Sequence, residues 1–402
     1  MLPRLLLVVA ITSLYACEQR SSSGQATITS TTRTVQDTFA AQVNIQHAQH
    51  FSVSYHEGYK LAHIRFQSEQ RDIHFDQKIV LLQKGATSPE LKEDLEDAWV
   101  MEVPLQTVAA NDDGEITRLN ALGLTEQIVA MGGGGIYNVE LRRLWEQKKI
   151  TSIGYSFHQA PQPEVLLILN SDILLLYAYD HQRLQSLNRC RQLGINAIPQ
   201  FAWAEPSFLG KAEWIKFTAL FFNKEKEAEE LFTQIATRCE ELMHLAAAQE
   251  MKPSAFMLYH PSSESDWSAH RNDFYASFLD AAGAVNILAD KGPTHPVGIN
   301  NEMLLTKGKD ADFWLINSTN DEDWPPATYL QAFQSYQKQN VFHYQKRTRY
   351  EHDAYDWYET PKVRPDLVLE DLVSIFYPEL LPDHELLFFE KVKLNKHANS
   401  MN

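Results

Sequence analysis

Arg271 stands four residues after Trp267, beside His270 and ahead of Phe274, in a polar stretch that leads into a helical pattern. A guanidinium next to aromatic rings suits a ligand with flat faces and negative charge: the rings wall it, and the guanidinium donates paired hydrogen bonds. Comparable groups recur in Asn111–Thr117, in Gly132-Gly133-Gly134-Gly135-Ile136-Tyr137, in Tyr179-Asp180-His181, in Trp203-Ala204-Glu205, and in the loop 347–359 with Tyr355, Trp357 and Tyr358. The competing reading makes Arg271 a solvated surface residue and Trp267 a cover on the core.

Other chemistries find less support. There is no Gly-x-Ser-x-Gly elbow and no Cys/His pair in a supporting context. His270, near Asp266 and Asp273, reads as surface hydrogen bonding rather than a dyad, so no catalytic residue and no cofactor is assigned. His181, His270 and His352 can be proposed as ligands of a zinc or manganese ion, but their spacing is not diagnostic and no His-rich loop accompanies them. The four glycines at 132–135 lack the lysine and serine of a nucleotide loop and the spacing of a dinucleotide fingerprint. They read as a tight turn that lets the backbone approach a ligand.

These groups need a frame, and the hydrophobic pattern supplies one. Residues 51–65 and 78–84 are β-branched and aromatic, as in the strands of a first sheet. Strand and helix then alternate: strand 103–109, helix 115–122 stopped by Gly123, strand 128–131, helix 139–147, strand 173–179, helix 181–193 ended by Gly194, strand 197–201. A second series follows, with strands at 255–259, 313–317 and 341–344 and helices at 273–282 and 365–375. The expectation is an α/β protein: two Rossmann-like lobes with mostly parallel sheets. In such sheets ligands gather at the carboxyl ends of the strands, where the groups named above fall. Between the series, Ser207 can cap a helix in which Ala212, Ile215, Ala219 and Phe222 repeat at helical spacing, and Asn223 can break it. Residues 225–248, rich in Glu, Lys, Ala and Leu, form a second long helix.

At the N-terminus, Arg4 precedes an apolar run too short to span a bilayer, and the run ends in Leu14-Tyr15-Ala16-Cys17. This resembles a lipobox, in which Cys17 is acylated and becomes the mature N-terminus; the alternative is a secreted chain with a free Cys17. The stretch 21–38, rich in Ser, Thr and Gln, has no apolar periodicity and reads as a solvated tether. The 402-residue chain is 44% hydrophobic and carries a formal net charge of −16. That charge, one unit more negative without Arg4, argues against nucleic acid and against broad contact with anionic lipid, leaving the membrane to be met through the lipid alone. Cys190 and Cys239 fall in helical patterns and read as buried free thiols.

Three segments together carry a family resemblance. They are Glu205-Pro206-Ser207-Phe208-Leu209-Gly210-Lys211-Ala212-Glu213-Trp214-Ile215-Lys216; the paired stretches opened by Glu164 and Glu302; and Val363-Arg364-Pro365-Asp366-Leu367 with Pro378-Glu379-Leu380-Leu381. From about 103 to 387 the chain resembles the periplasmic binding proteins for ferric siderophores and cobalamin. The resemblance implies two lobes joined by a single long backbone helix, a ligand cleft between them and modest hinge motion. It implies delivery to an ABC permease and its ATPase, with Glu164 and Glu302 meeting permease arginines; a carboxylate favoured by a helix dipole is the simpler account of both.

On this reading the chain divides into a signal peptide (1–16), a tether (17–45), an N-terminal lobe (46–206), the backbone helix (207–222) and a C-terminal lobe (223–402). It would be an extracytoplasmic, lipid-anchored receptor and not an enzyme. The expected ligand is a ferric siderophore, ahead of a haem-like complex or corrinoid, with a metal-ion receptor of the zinc and manganese class as the alternative. Candidate ligand contacts are Tyr137, Tyr179, His181, Trp203, Trp267, His270, Arg271, Tyr355 and Trp357.

Overall fold

The computed structural model describes residues 39–85, 95–154, 159–259, 267–292, 295–319, 324–325 and 327–394. Cys17 and Asp266 lie outside them.

Alternating burial along Phe51–His56 and Tyr59–Ser68 makes an antiparallel hairpin, turned at Glu57-Gly58 where Gly58 takes φ 79°. Ile73–Gln83 pairs with it, and Trp99–Val103 adds in parallel to close a four-stranded sheet. The run expected as one strand at 103–109 is therefore divided. Pro104 has no N–H to give a ladder, the Leu105 N–H turns to the Phe221 carbonyl (2.9 Å), and Val108–Ala110 joins a different sheet.

That second sheet is wholly parallel, in the order Thr151–Ser152, Ile128–Met131, Val108–Ala110, Ile173–Tyr177, Ala197–Gln200. Helices Asp113–Ala121, Val139–Glu146, Pro163–Leu169 and His181–Gln192 intervene. All five residues of Ile173–Tyr177 are buried, as a strand covered on both faces requires. The third sheet has parallel pairings of Ser254–Tyr259 with Val285–Asn286 and Phe313–Ile316, and of Phe313–Ile316 with Val341–His343. Antiparallel Trp267–Ala269, Val297–Ile299 and Glu390–Lys391 extend it. The helix expected at 273–282 forms only over Ala276–Ala281, because Asp273 spends its Oδ1 on the Ala276 N–H (2.9 Å) and remains outside.

Between the two series runs Phe208–Leu220, capped by the Ser207 hydroxyl on the Gly210 N–H (2.9 Å). It ends before Asn223, which takes φ 54°, and it packs on Asp113–Ala121 from one series and Pro365–Phe376 from the other. All 13 of its residues are buried, so burial extends around the whole circumference and beyond the apolar positions read at helical spacing. Of its charges, Glu213 and Lys216 are partnered as burial demands. The Glu213 carboxylate accepts the N–H groups of Gln46 (3.0 Å), His47 (2.7 Å) and Ala48 (2.8 Å), and Lys216 binds Glu213 (3.1 Å), Glu229 (3.1 Å) and the Asn44 carbonyl (2.6 Å). Glu205 takes the N–H of Gln49 (2.9 Å) and the indole N–H of Trp214 (2.8 Å). Residues 39–45, assigned above to the tether, are part of this packing, with Val43 buried. Cys190 and Cys239 are buried free thiols.

Candidate ligand cleft

The carboxyl ends of the parallel strands in the first series bring together a polar and aromatic floor. Asn111 follows Val108–Ala110 and accepts the Tyr177 N–H (3.1 Å); Asp112 caps the next helix at the Glu115 N–H (3.2 Å). Tyr177 and Tyr179 stack (centroids 5.9 Å), Trp203 tilts against Tyr179 (5.2 Å), and the Trp203 indole N–H is anchored on the Ala178 carbonyl (3.2 Å). The Arg71 guanidinium, from the turn between two strands of the first sheet, lies 3.9 Å from the Tyr179 ring centroid and 4.9 Å from that of Trp203. The Asn111 Nδ2 and both amide atoms of Gln200 are buried without hydrogen-bond partners among the described residues.

The second series contributes Tyr275 and Tyr344, stacked on Trp357 at 5.3 and 4.5 Å. Burial raises the phenols of Tyr177, Tyr275 and Tyr344 well above their ordinary range, so all three are protonated donors at neutral pH. The two series also touch. The Glu359 carboxyl accepts the Tyr137 N–H at 2.5 Å, the Tyr137 ring lies under Arg347 (4.7 Å) and Arg349 (4.9 Å), and Lys362 pairs with Asp112 (3.6 Å). Burial, then the nearby Asp113, pushes the Glu359 carboxyl up to about 9. A cavity of about 340 Å³ opens here, lined by Thr117, Asn120, Tyr137, Arg347, Arg349 and Glu359 among others. Arg349 has a buried Nε with no hydrogen-bond partner among the described residues.

The sequence-derived candidates divide sharply. Tyr137, Tyr179 and Trp203 are in the cleft. Trp357 is buried beneath the second aromatic wall, and Tyr355 packs on Tyr358 (6.2 Å) at its rim. His270 is buried and bonded through Nδ1 to Asp273 (2.7 Å), edge-on to Tyr275 (5.2 Å). His181 is exposed and turns to the Asp72 carbonyl (3.2 Å). Trp267 is a core residue: it packs on Trp314 (5.4 Å) and Trp324 (5.6 Å) and donates to Asn301 (2.8 Å). Arg271 is ion-paired to Asp290 and donates to the Leu288 carbonyl (3.3 Å).

The glycine run serves a protein contact. A Cβ on Gly134 would strike the Trp145 ring at 2.5 Å, and one on Gly135 would lie 3.1 Å from the Asp353 carbonyl of the other series. No three His, Cys, Asp or Glu side chains converge as a metal-binding group among the described residues, so His181, His270 and His352 do not meet. Arg71 and Lys211 carry no local sign of a site: one lies in a hairpin turn, the other on a helix, and only long-range packing brings them here.

Glu164 and Glu302 are both exposed, in the first turns of Pro163–Leu169 and Asn301–Gly308. Each helix leads through a turn to an interior strand of its sheet, Ile173–Tyr177 or Phe313–Ile316, as the matched sequence stretches imply.

No family model matches the sequence. The chain is 24% identical over 336 residues to an uncharacterized lipoprotein of Methanocaldococcus jannaschii, covering 80% of this chain and 78% of that one. Among solved structures it is similar to a siderophore-binding protein bound to ferric iron and acinetobactin (TM-score 0.51, 19% identity, 68% of this chain and 93% of that chain). It is also similar to the periplasmic heme-binding protein of Vibrio cholerae (TM-score 0.51, 16% identity, 66% and 98%). The chain has the α/β fold, with mostly parallel sheets, of periplasmic substrate-binding proteins. No helix among the described residues is long and apolar enough to cross a membrane.

Proposed function

We propose that this chain is the extracytoplasmic substrate-binding component of an ABC importer, anchored by lipid on Cys17, and that it captures a ferric siderophore or a similar anionic complex for delivery to the permease. The observation that carries this reading is the cleft at the strand ends. Tyr177, Tyr179, Trp203 and Tyr275 supply ring faces, while Arg71, Arg347 and Arg349 supply guanidinium groups in a protein whose formal net charge is −16. Arg347 is also paired with the buried Asp356 (2.5 Å), and cations set against ring faces on an acidic protein favour an anionic guest. The His270–Asp273 pair has a structural task, since Asp273 also caps Ala276–Ala281.

Tryptophan fluorescence tests the reading. A ferric tris-catecholate or haemin is expected to quench the emission saturably, with Trp203 as reporter, and Arg347→Ala with Arg349→Ala to weaken binding at least about tenfold, two charge-assisted contacts being worth about 1.5–3 kcal/mol each. Saturable binding of zinc or manganese alone, with none of the chelates, would replace this reading with the metal-ion receptor. The anchor has its own test: Cys17→Ala is expected to release the protein from membranes into the soluble fraction, and equal retention of the variant would remove the lipid from the account.

A further inference from the structure

Three lysines among the described residues are buried: Lys60, Lys211 and Lys216. Two are partnered as buried charges must be. Lys60 pairs with Glu225 and donates to Asn223 and the Leu220 carbonyl, both at 2.8 Å, while Lys216 has Glu213 and Glu229. Lys211 has no carboxylate within ion-pair distance among the described residues. Its Nζ lies 3.9 Å from the Phe274 ring centroid, in the second series, and reaches the Trp203 carbonyl, in the first, only at 3.4 Å. The amine is thus held between the two walls of the cleft by a ring and a long hydrogen bond.

The charged groups around it are already committed elsewhere. Arg118 is bonded to Glu115 (3.0 Å), Asp112 to Lys362 (3.6 Å), and Asp273 to His270 (2.7 Å). Burial, with Lys362 and Arg118 adding repulsion that Asp112 and Asp273 offset only partly, holds the Lys211 ammonium down to about 7.

We propose that Lys211 is a ligand-sensing cation of the cleft: an oxyanion of the bound guest supplies the counter-charge that no carboxylate of the protein supplies, and one proton from solvent is taken up on Nζ as the complex forms. This rests on the receptor reading above and adds the coupling of capture to pH. Parting the walls separates Phe274 from Trp203 and frees the amine to meet the guest. The sign follows from linkage. Below pH 7 the amine is already charged in the free protein, so binding moves no proton. Above it the guest must draw the proton on, so affinity falls as pH rises, by about tenfold per pH unit for one proton, until the bound form also titrates.

The test is isothermal titration of the full mature chain with a hexadentate ferric tris-catecholate at pH 6, 7, 8 and 9, in phosphate and in Tris, for wild type, Lys211→Arg and Lys211→Met. Comparing variants against one probe cancels the probe's own titration. Wild type is expected to lose about tenfold in affinity per unit above pH 7, with close to one proton taken up at pH 8. Lys211→Arg, charged throughout, is expected to bind without that slope or uptake. Lys211→Met is expected to bind weakly at pH 6 and equally without slope; it decides the matter where the larger guanidinium disturbs the fold. Equal slopes and equal proton uptake in wild type and both variants would overturn the role of Lys211 and leave the receptor reading standing. Failure of the tris-catecholate, haemin and ferric citrate to bind wild type at any pH would overturn both.

Discussion

Changing Glu164 and Glu302 together to alanine is expected to abolish uptake while leaving ligand affinity where it was. Both carboxylates are exposed, each in the first turn of a helix that feeds an interior strand of its sheet, and neither contributes to the cleft. Their surroundings suit a contact surface: Ile168 is 85% exposed one turn after Glu164, and Met303, beside Glu302, is 45% exposed. An acid that meets a basic group on a permease, flanked by an apolar side chain, gives register as well as attraction.

Single alanines are expected to act weakly, because exposed ion pairs are worth roughly 0.2–1 kcal/mol. The double variant loses a docking charge on each of the two series, and with them orientation. Salt should weaken docking of the wild type, since screening at physiological ionic strength acts over about 8 Å. The readouts are ligand affinity by fluorescence and uptake of labelled ligand in cells. A double variant that binds ligand and transports normally would reduce both glutamates to acids favoured by helix dipoles, a role worth about 0.3–1 kcal/mol each in stability.

The largest loss of stability is expected at Glu213. Its carboxylate, fully buried, gathers three backbone N–H groups from residues 46–48 and the ammonium of Lys216. Glu213→Ala leaves those part-buried donors without their acceptor, and Lys216 with Glu229, one-third exposed, as its remaining counter-charge. Breaking a buried pair in this way costs about 3–5 kcal/mol. Glu213→Gln keeps an acceptor oxygen and is expected to lose less. The exposed Glu250→Ala serves as control, expected within about 0.5 kcal/mol of wild type. Urea denaturation followed by tryptophan emission measures all three. A midpoint for Glu213→Ala matching the control would show that the strap over residues 44–50 holds nothing.

What could be read directly from the chain was local. Strand–helix alternation, the Ser207 cap, the stops at Gly123 and Gly194, and the two helix-opening acids depend on residues within a few positions of one another. Their hydrogen bonds and φ values close over the same short stretch. Cys190 and Cys239 likewise followed from the helical patterns around them. The division of 99–110 between two sheets did not follow, because Pro104 marks a break without saying which sheet each half joins.

The cleft depended on the tertiary structure in a stronger sense. Trp267 and Arg271 have the side chains of a binding loop, yet Trp267 completes a tryptophan cluster and Arg271 pairs with Asp290, nineteen residues on in the chain. Arg71 and Lys211 give no local sign of a site, since a lysine on a helix ordinarily meets solvent. Only packing of Phe208–Leu220 on both sides withdraws Lys211 from water, and only the Trp203 carbonyl and the Phe274 ring, one from each series, place it between two walls. Sequence determined which groups were available and which local segments would form. Long-range burial decided which of those groups were satisfied within the protein and which were brought to the cleft, because desolvation and pairing are settled by neighbours that the chain order does not adjoin.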